Sequence, residues 1–267
     1  GWNVSRICYV VKERLSMNSI KFTCTSLAGS NRVGTLKKDA QGYYEVVVGA
    51  LNVFNSAGQF YVYEQAKALF ESSSQLMRRV SRGALRGEYG HPKFLPGMSN
   101  DQFANRVMSI YEENVCCHFR DITLDFDRVK DDQGKPVIAI IAWVKPAGPN
   151  GPALEKSLEN PNENVCFSIR AFTDDYREAG LIKRVLKTIV TWDYVNEPGI
   201  AVAEKFKAPA LEEHTFSRGE IERGLRVATS MGLATESSQM TAGELFTSMG
   251  WDASHLKPAS KPSWVGW

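Results

Sequence analysis

The sequence is short of several things, and each shortage closes a class of function. No apolar run in its 267 residues approaches the ~20 that a membrane-spanning helix requires. No basic start, apolar run and small-residue cleavage site marks a signal peptide, and the sequence opens on Gly1-Trp2. Charge of one sign is not in excess. Lys and Arg number 32 against 30 Asp and Glu, a net of +2, which gives no strong pull toward nucleic acid or a membrane surface. The five cysteines, Cys8, Cys24, Cys116, Cys117 and Cys166, are odd in number and contain no Cys-x-x-Cys pair. That argues against a disulfide framework or a zinc site, so the expectation is reduced, mostly buried thiols in an intracellular protein, with no metal. A G-x-S-x-G elbow, a P-loop and a G-x-G-x-x-G turn are all missing, and no cofactor is expected. "HFRD" at 118–121 lacks the downstream Asn, the DFG and the Gly-rich loop of a kinase, and "DFDR" with "DDQG" at 131–134 lacks calcium-loop spacing.

What is present is a large apolar fraction, 43%, enough for one large domain or two small ones. Residues 3–63 read as β-rich: "ICYVV", "KFTCTSL", "YYEVVVGALNVFN" and "QFYVY" are punctuated by glycines. The apolar stripe of 63–83 predicts one helix ending at Gly83, and 84–100 reads as loop. Residues 105–129 read as extended, followed by a hairpin turn at "DDQG", a strand "KPVIAIIAWVKP" and a short helix at 153–160. Residues 174–195 run from a polar loop into a strand, with a helical start left open. Helices are expected in 209–233 and at 241–250, where Thr241 and Glu244 fit a capping box, before a Pro/Ser-rich tail. The expected organisation is a main body over 1–208, with a C-terminal helical extension and tail over 209–267. The expected class is α+β: a closed or strongly curved, mainly antiparallel β-barrel surrounded by helices, since closure would hide the edges of so many strands.

Three residues supply a hydroxyl, an imidazole and a carboxylate near strand centres. Ser168 stands inside "NVCFSIRAF", His118 inside "NVCCHFRDI" and Asp193 inside "TIVTWDYVNEPG". Each has an ordinary explanation. Strand hydroxyls commonly bond neighbouring strands, a lone strand histidine is usually structural, and an acid such as Asp193 ordinarily points to the solvent face of its strand. Together they have the parts of nucleophilic catalysis, in which a serine needs an adjacent base and the base needs an orienting partner.

"RGALRGEYGHPKF" at 82–94 resembles the Gly-Glu-x-x-His-Pro signature of the prohead maturation proteases of large tailed phages. The order downstream is similar to that family's: a strand with a histidine, a hairpin, a short helix, "VCFSIRAF" in place of Gly-x-Ser-Ser-Arg, and "IVTWDYVNEPG" as a closing strand with an acid. The resemblance covers about residues 82–200 and implies a fold like the herpesvirus assembly protease. It implies a serine endopeptidase that cleaves scaffold, capsid and internal head proteins, and itself, inside a procapsid assembling in the host cytoplasm, and it leaves room for a homo-oligomer. It assigns Ser168 as nucleophile and His118 as base. Asp193 is preferred as third member, with Glu88 and His91 as runners-up or a supporting site, and Arg170 is a candidate for oxyanion or substrate binding. Relatives' preference for small-x-Glu draws attention to Glu212 and Glu236 as self-cleavage points. Two positions depart from the pattern: Ile169 replaces the second serine and Cys166 the glycine. A homologue without activity, serving as a capsid or scaffold component, is the alternative reading.

Overall fold

The computed structural model describes residues 13–14, 19–26, 36, 38–54, 58–130, 134–163, 165–195, 212–230 and 246–252. In chain order the strands are β1 (Glu13–Arg14), β2 (Ser19–Ser26), β3 (Tyr44–Leu51), β4 (Gln59–Tyr61), β5 (Arg86–Glu88), β6 (Val115–Asp125), β7 (Ile138–Pro146), β8 (Cys166–Glu178), β9 (Leu181–Val195) and β10 (Glu212–Ser217). The helices are α1 (Tyr63–Ala66), α2 (Gln75–Ser81), α3 (Asn100–Met108), α4 (Gly151–Glu159) and α5 (Arg218–Ser230), with short 3-10 turns at Lys67–Phe70 and Glu112–Asn114.

The strands form two sheets, ordered β10-β2-β8-β9-β4, with β1 also on β8, and β3-β7-β6-β5. All neighbours are antiparallel except β4 against β9. Among the described strands there is no closed circuit. Among the described residues the sheets meet at a parallel bridge, Tyr89 to Tyr194, where the Gly90 N–H donates to the Tyr194 carbonyl at 2.7 Å, and just past β3 at an antiparallel bridge, Phe54 to Phe60, where the Tyr61 N–H donates to the Val53 carbonyl at 3.0 Å. The β8–β9 pair is bent locally. The β8–β9 register slips between Arg170 and Ala171 and again between Phe172 and Thr173, and each extra residue bends and twists its strand. At the first slip the buried Arg79 of α2 donates to the Val190 and Ile189 carbonyls at 2.5 and 2.6 Å.

Strand alternation sorts the side chains into two cores. Phe167, Ile169, Trp192 and Tyr194 join Phe119, Tyr44, Leu51 and Leu186 in the main core between the sheets. Phe172 and Val190 face the other way, into a second core with Phe103 and Val107 of α3, Phe216, Ile221 of α5, Phe246 and Met249. The residues expected to be a C-terminal extension therefore join the body wherever they are described. β10 pairs with β2 from Glu212↔Cys24 to Ser217↔Ser19, and α5 packs on α3.

Several elements differ from the sequence expectation. The single helix over 63–83 is broken after Phe70, and α2 restarts where the Ser74 hydroxyl accepts from the Met77 N–H. A helix, α3, occupies 100–108, where an extended segment was expected from 105. Residues 174–195 are two strands rather than loop and strand. They turn through two residues, Ala179 and Gly180, both at positive φ (50° and 79°), as a tight hairpin requires. Residues 212–217 are strand rather than helix, because they complete the sheet edge beside β2. The "ICYVV" strand, most of the "DDQG" turn and the proposed cap at Thr241 and Glu244 lie outside the described residues. No helix among the described residues is long and apolar enough to cross a membrane.

Candidate active site

Because Phe167 and Ile169 enter the main core, Ser168 and Arg170 point to the opposite face of the sheet. Ser168 pairs across the ladder with Asp193, which brings hydroxyl and carboxylate onto the same face of adjacent strands. Both residues are 0% exposed. The loop after β5 supplies the imidazole. His91 Nδ1 lies 3.9 Å from Asp193 Oδ2, with a side-chain exposure of only 7%. Neither ring nitrogen of His91 has a hydrogen-bond partner, and nor does Ser168 Oγ. Buried polar atoms are nearly always bonded. Three unpartnered ones beside an acid make this a candidate site, in a geometry looser than a working complex requires.

Gly87 allows this approach of strand and loop. A Cβ there would stand 2.3 Å from the Trp192 carbonyl oxygen and 2.8 Å from Cys117 Sγ, so any side chain would push β5 away from β9. One residue on, the Glu88 N–H donates to Asp193 Oδ1 at 3.2 Å.

A buried charge network surrounds Asp193. Arg170 grips it with two bonds, Nε to Oδ2 at 2.8 Å and Nη2 to Oδ1 at 2.7 Å. Arg170 Nη2 also lies 3.3 Å from Glu88 Oε2, and its Nη1 donates to the Ser109 carbonyl at 2.9 Å. Glu88 in turn accepts from Arg106 at 3.1 and 2.5 Å and from the Tyr111 N–H at 2.6 Å. Burial alone would raise the Asp193 carboxyl, but the charge and the two bonds of Arg170, with the nearby His91 ring, outweigh it and hold the group below the usual carboxylate range. Asp193 is therefore an anion at neutral pH. Burial pushes the neighbouring Cys117 thiol well up, with Cys116 adding to the effect, so it stays protonated.

The structure brings Ser168, Asp193, His91, Glu88 and Arg170 together and leaves His118 out. On β6, Cys117 and Phe119 point into the main core, so His118 faces the outer side of the other sheet. Its ring is occupied there: Nδ1 is 3.0 Å from the Tyr43 hydroxyl and Nε2 is 2.9 Å from the Gly83 carbonyl. Burial lowers its pKa, the Gly83 carbonyl pulls the other way, and Arg86 and Lys145 lower it further. His118, expected to be the base, is therefore not brought to Ser168: the two sit on opposite sides of the main core. Arg170 also differs from expectation. It is 0% exposed and its donors are spent on Asp193 and on the Ser109 and Val107 carbonyls, so no free face meets an oxyanion. Glu88 turns toward Arg106 and Arg170, which leaves Asp193 as the carboxylate that meets His91. Ile169 lies in the main core, so its departure from the resembled pattern does not intrude on the face that carries Ser168. Arg106 and Tyr111 were not anticipated from the sequence. The "SNDQ" capping box, in which Ser99 and Gln102 bond each other's backbone, is the signal that would have placed α3 and with it Arg106.

A model of the Peptidase S80 family matches residues 22–251. The chain belongs to that peptidase family. This S80 member is 35% identical over 255 residues to the capsid maturation protease of Pseudomonas phage phiKZ, covering 90% of this chain and 92% of the phage protein. Among solved structures it is similar to the bacteriophage T4 capsid assembly protease, gp21, at 12% identity and a TM-score of 0.42, over 67% of this chain and 97% of that one.

Proposed function

We propose that this S80 peptidase is a serine endopeptidase that matures a phage procapsid, cleaving scaffold, capsid and internal head proteins. Ser168 is the nucleophile, His91 the general base and Asp193 the carboxylate that orients it. The observation that carries this reading is the meeting of three groups on one buried face. Ser168 and Asp193 share a register position, and His91 leans on Asp193 with both ring nitrogens uncommitted. The name of the phiKZ relative supports the choice of substrates. The herpesvirus-protease-like barrel belongs to the same reading, with the Tyr89–Tyr194 and Phe54–Phe60 bridges as places where the two sheets join.

In this mechanism Asp193 accepts from His91 Nδ1–H, which leaves Nε2 as the acceptor for the Ser168 proton. The oxygen attacks the scissile carbonyl, the tetrahedral intermediate collapses to an ester on Ser168, and His91 returns the proton to the leaving amine. Water, deprotonated by the same imidazole, then releases the acid product. Asp193 stabilises the imidazolium that forms in each half of the cycle. Ser168 is sealed in the described state, so substrate must displace part of its cover. Glu212, one of the expected self-cleavage points, is the first residue of β10 and pairs with Cys24; a cut there requires that edge strand to peel away. Glu236 lies outside the described residues.

The test is proteolysis of a capsid precursor from a phage that carries such a protease. The wild-type chain is expected to shorten the precursor, and itself on standing, while Ser168→Ala does neither. Cleavage that survives Ser168→Ala would reject the assignment.

A further inference from the structure

Four charges alternate along the buried network: Asp193, Arg170, Glu88 and Arg106. A single pair would be enough to neutralise Asp193. The extra pair has a geometric consequence, because Arg170 Nη2 faces two carboxylates, Asp193 at 2.7 Å and Glu88 at 3.3 Å. Arg106 binds both oxygens of Glu88 and stacks its guanidinium 4.0 Å from the Tyr111 ring centroid, while the Ser109 carbonyl accepts from both arginines. Held by Arg106, Glu88 keeps its Oε2 beside Arg170 Nη2 and braces the guanidinium that is bidentate on Asp193. Glu88 also touches Asp193 directly through its backbone N–H and stands three residues before His91 in the same segment. It therefore ties the carboxylate and the imidazole to one frame.

We infer that Glu88 and Arg106 are positioning residues which, through Arg170, fix the Asp193 carboxylate at the place from which it orients His91. The inference rests on the Ser168–His91–Asp193 reading and adds to it two residues that touch neither substrate nor nucleophile. The network draws on three separate elements: β5 gives Glu88, α3 and the turn after it give Arg106, Ser109 and Tyr111, and the β8–β9 pair gives Arg170 and Asp193. Small displacements of such supporting groups are costly in rate, about 10²-fold for 1 Å at the reacting atoms.

The experiment measures kcat and KM on a peptide substrate, per active site titrated, for Glu88→Gln, Arg106→Gln and Arg106→Lys, with thermal midpoints alongside. For Glu88→Gln and Arg106→Gln, kcat is expected to fall roughly 10- to 100-fold with KM changed less than about twofold. Arg106→Lys, which keeps the charge, should recover most of that loss. Should Arg106→Gln fail to fold, the isosteric Glu88→Gln is read in the same way. A folded Glu88→Gln with wild-type kcat, or a lowered thermal midpoint with kcat per titrated site unchanged, overturns the inference. Ser168→Ala separates the two levels. If it is inactive while Glu88→Gln has wild-type kcat, only the positioning role falls; if it remains active, the site reading falls and the inference with it.

Discussion

His91→Ala is expected to lower kcat roughly 10⁶-fold, as removal of the base of a triad does, while His118→Ala keeps activity within a few-fold of wild type. The two histidines separate cleanly because they lie on opposite sides of the main core. His91 leans on Asp193 with free ring nitrogens. His118 is committed to the Tyr43 hydroxyl and the Gly83 carbonyl, a structural link between β6 and the end of α2. Its loss should be read in stability, as the cost of an unsatisfied tyrosine and a loosened turn. Steady-state kinetics on a peptide substrate, with circular dichroism to confirm folding, checks both variants. A dead His118→Ala that is fully folded, beside an active His91→Ala, would reverse the assignment.

Arg170→Met is expected to be the most destabilising single change at the site. It removes the cation shared by Asp193 and Glu88 and leaves Asp193 as a fully buried carboxylate without its bidentate partner. Breaking a buried pair from one side costs about 3–5 kcal/mol. For a domain of this size that is a fall of roughly 6–20 °C in Tm. The pH dependence should change as well. The Asp193 carboxyl is held below its usual value in the folded protein. The stability it contributes is therefore present at neutral pH and is lost as the pH falls from roughly 4, the unfolded value, through the lower folded one. In Arg170→Met that hold is weakened, so the variant should lose stability at a higher pH than the wild type does. Urea melts between pH 3 and pH 7 would show it. Parallel stability curves for the two proteins would mean that Arg170 does not support the Asp193 anion.

The strands of the site were legible because their residues are β-branched and aromatic. "VCFSIRAF" and "TIVTWDYV" carry apolar side chains at alternate positions, and Ser168 and Asp193 fall in the gaps between them. The proposed nucleophile and acid could therefore be read as strand residues, although their shared register could not, since it depends on the Ala179–Gly180 turn and two bulges that no local pattern announces. The proposed base, His91, ranked behind His118 in the sequence because a strand setting looked more rigid than a loop. The sequence held a counter-signal: His118 sits between Cys117 and Phe119, both apolar, so alternation sends it away from the core they enter. His91 stands between Gly90 and Pro92, where side-chain direction follows no period. Its position is fixed by contacts distant in sequence, through Gly87, Glu88 and the Tyr194 carbonyl. Arg106 was missed together with its helix, whose polar residues hid the Ser99–Gln102 box. The body seemed to end near 208 because the composition changes there, yet β10 and α5 are held by pairing with β2 and packing on α3.

The most direct measurement is peptide mapping by mass spectrometry after treatment with a fluorophosphonate, under conditions in which the protein cleaves its substrate. The phosphonyl group is expected on Ser168 alone, in wild type and in His118→Ala, and absent from His91→Ala. An adduct on another serine, or labelling of Ser168 that needs His118 and not His91, would contradict the account.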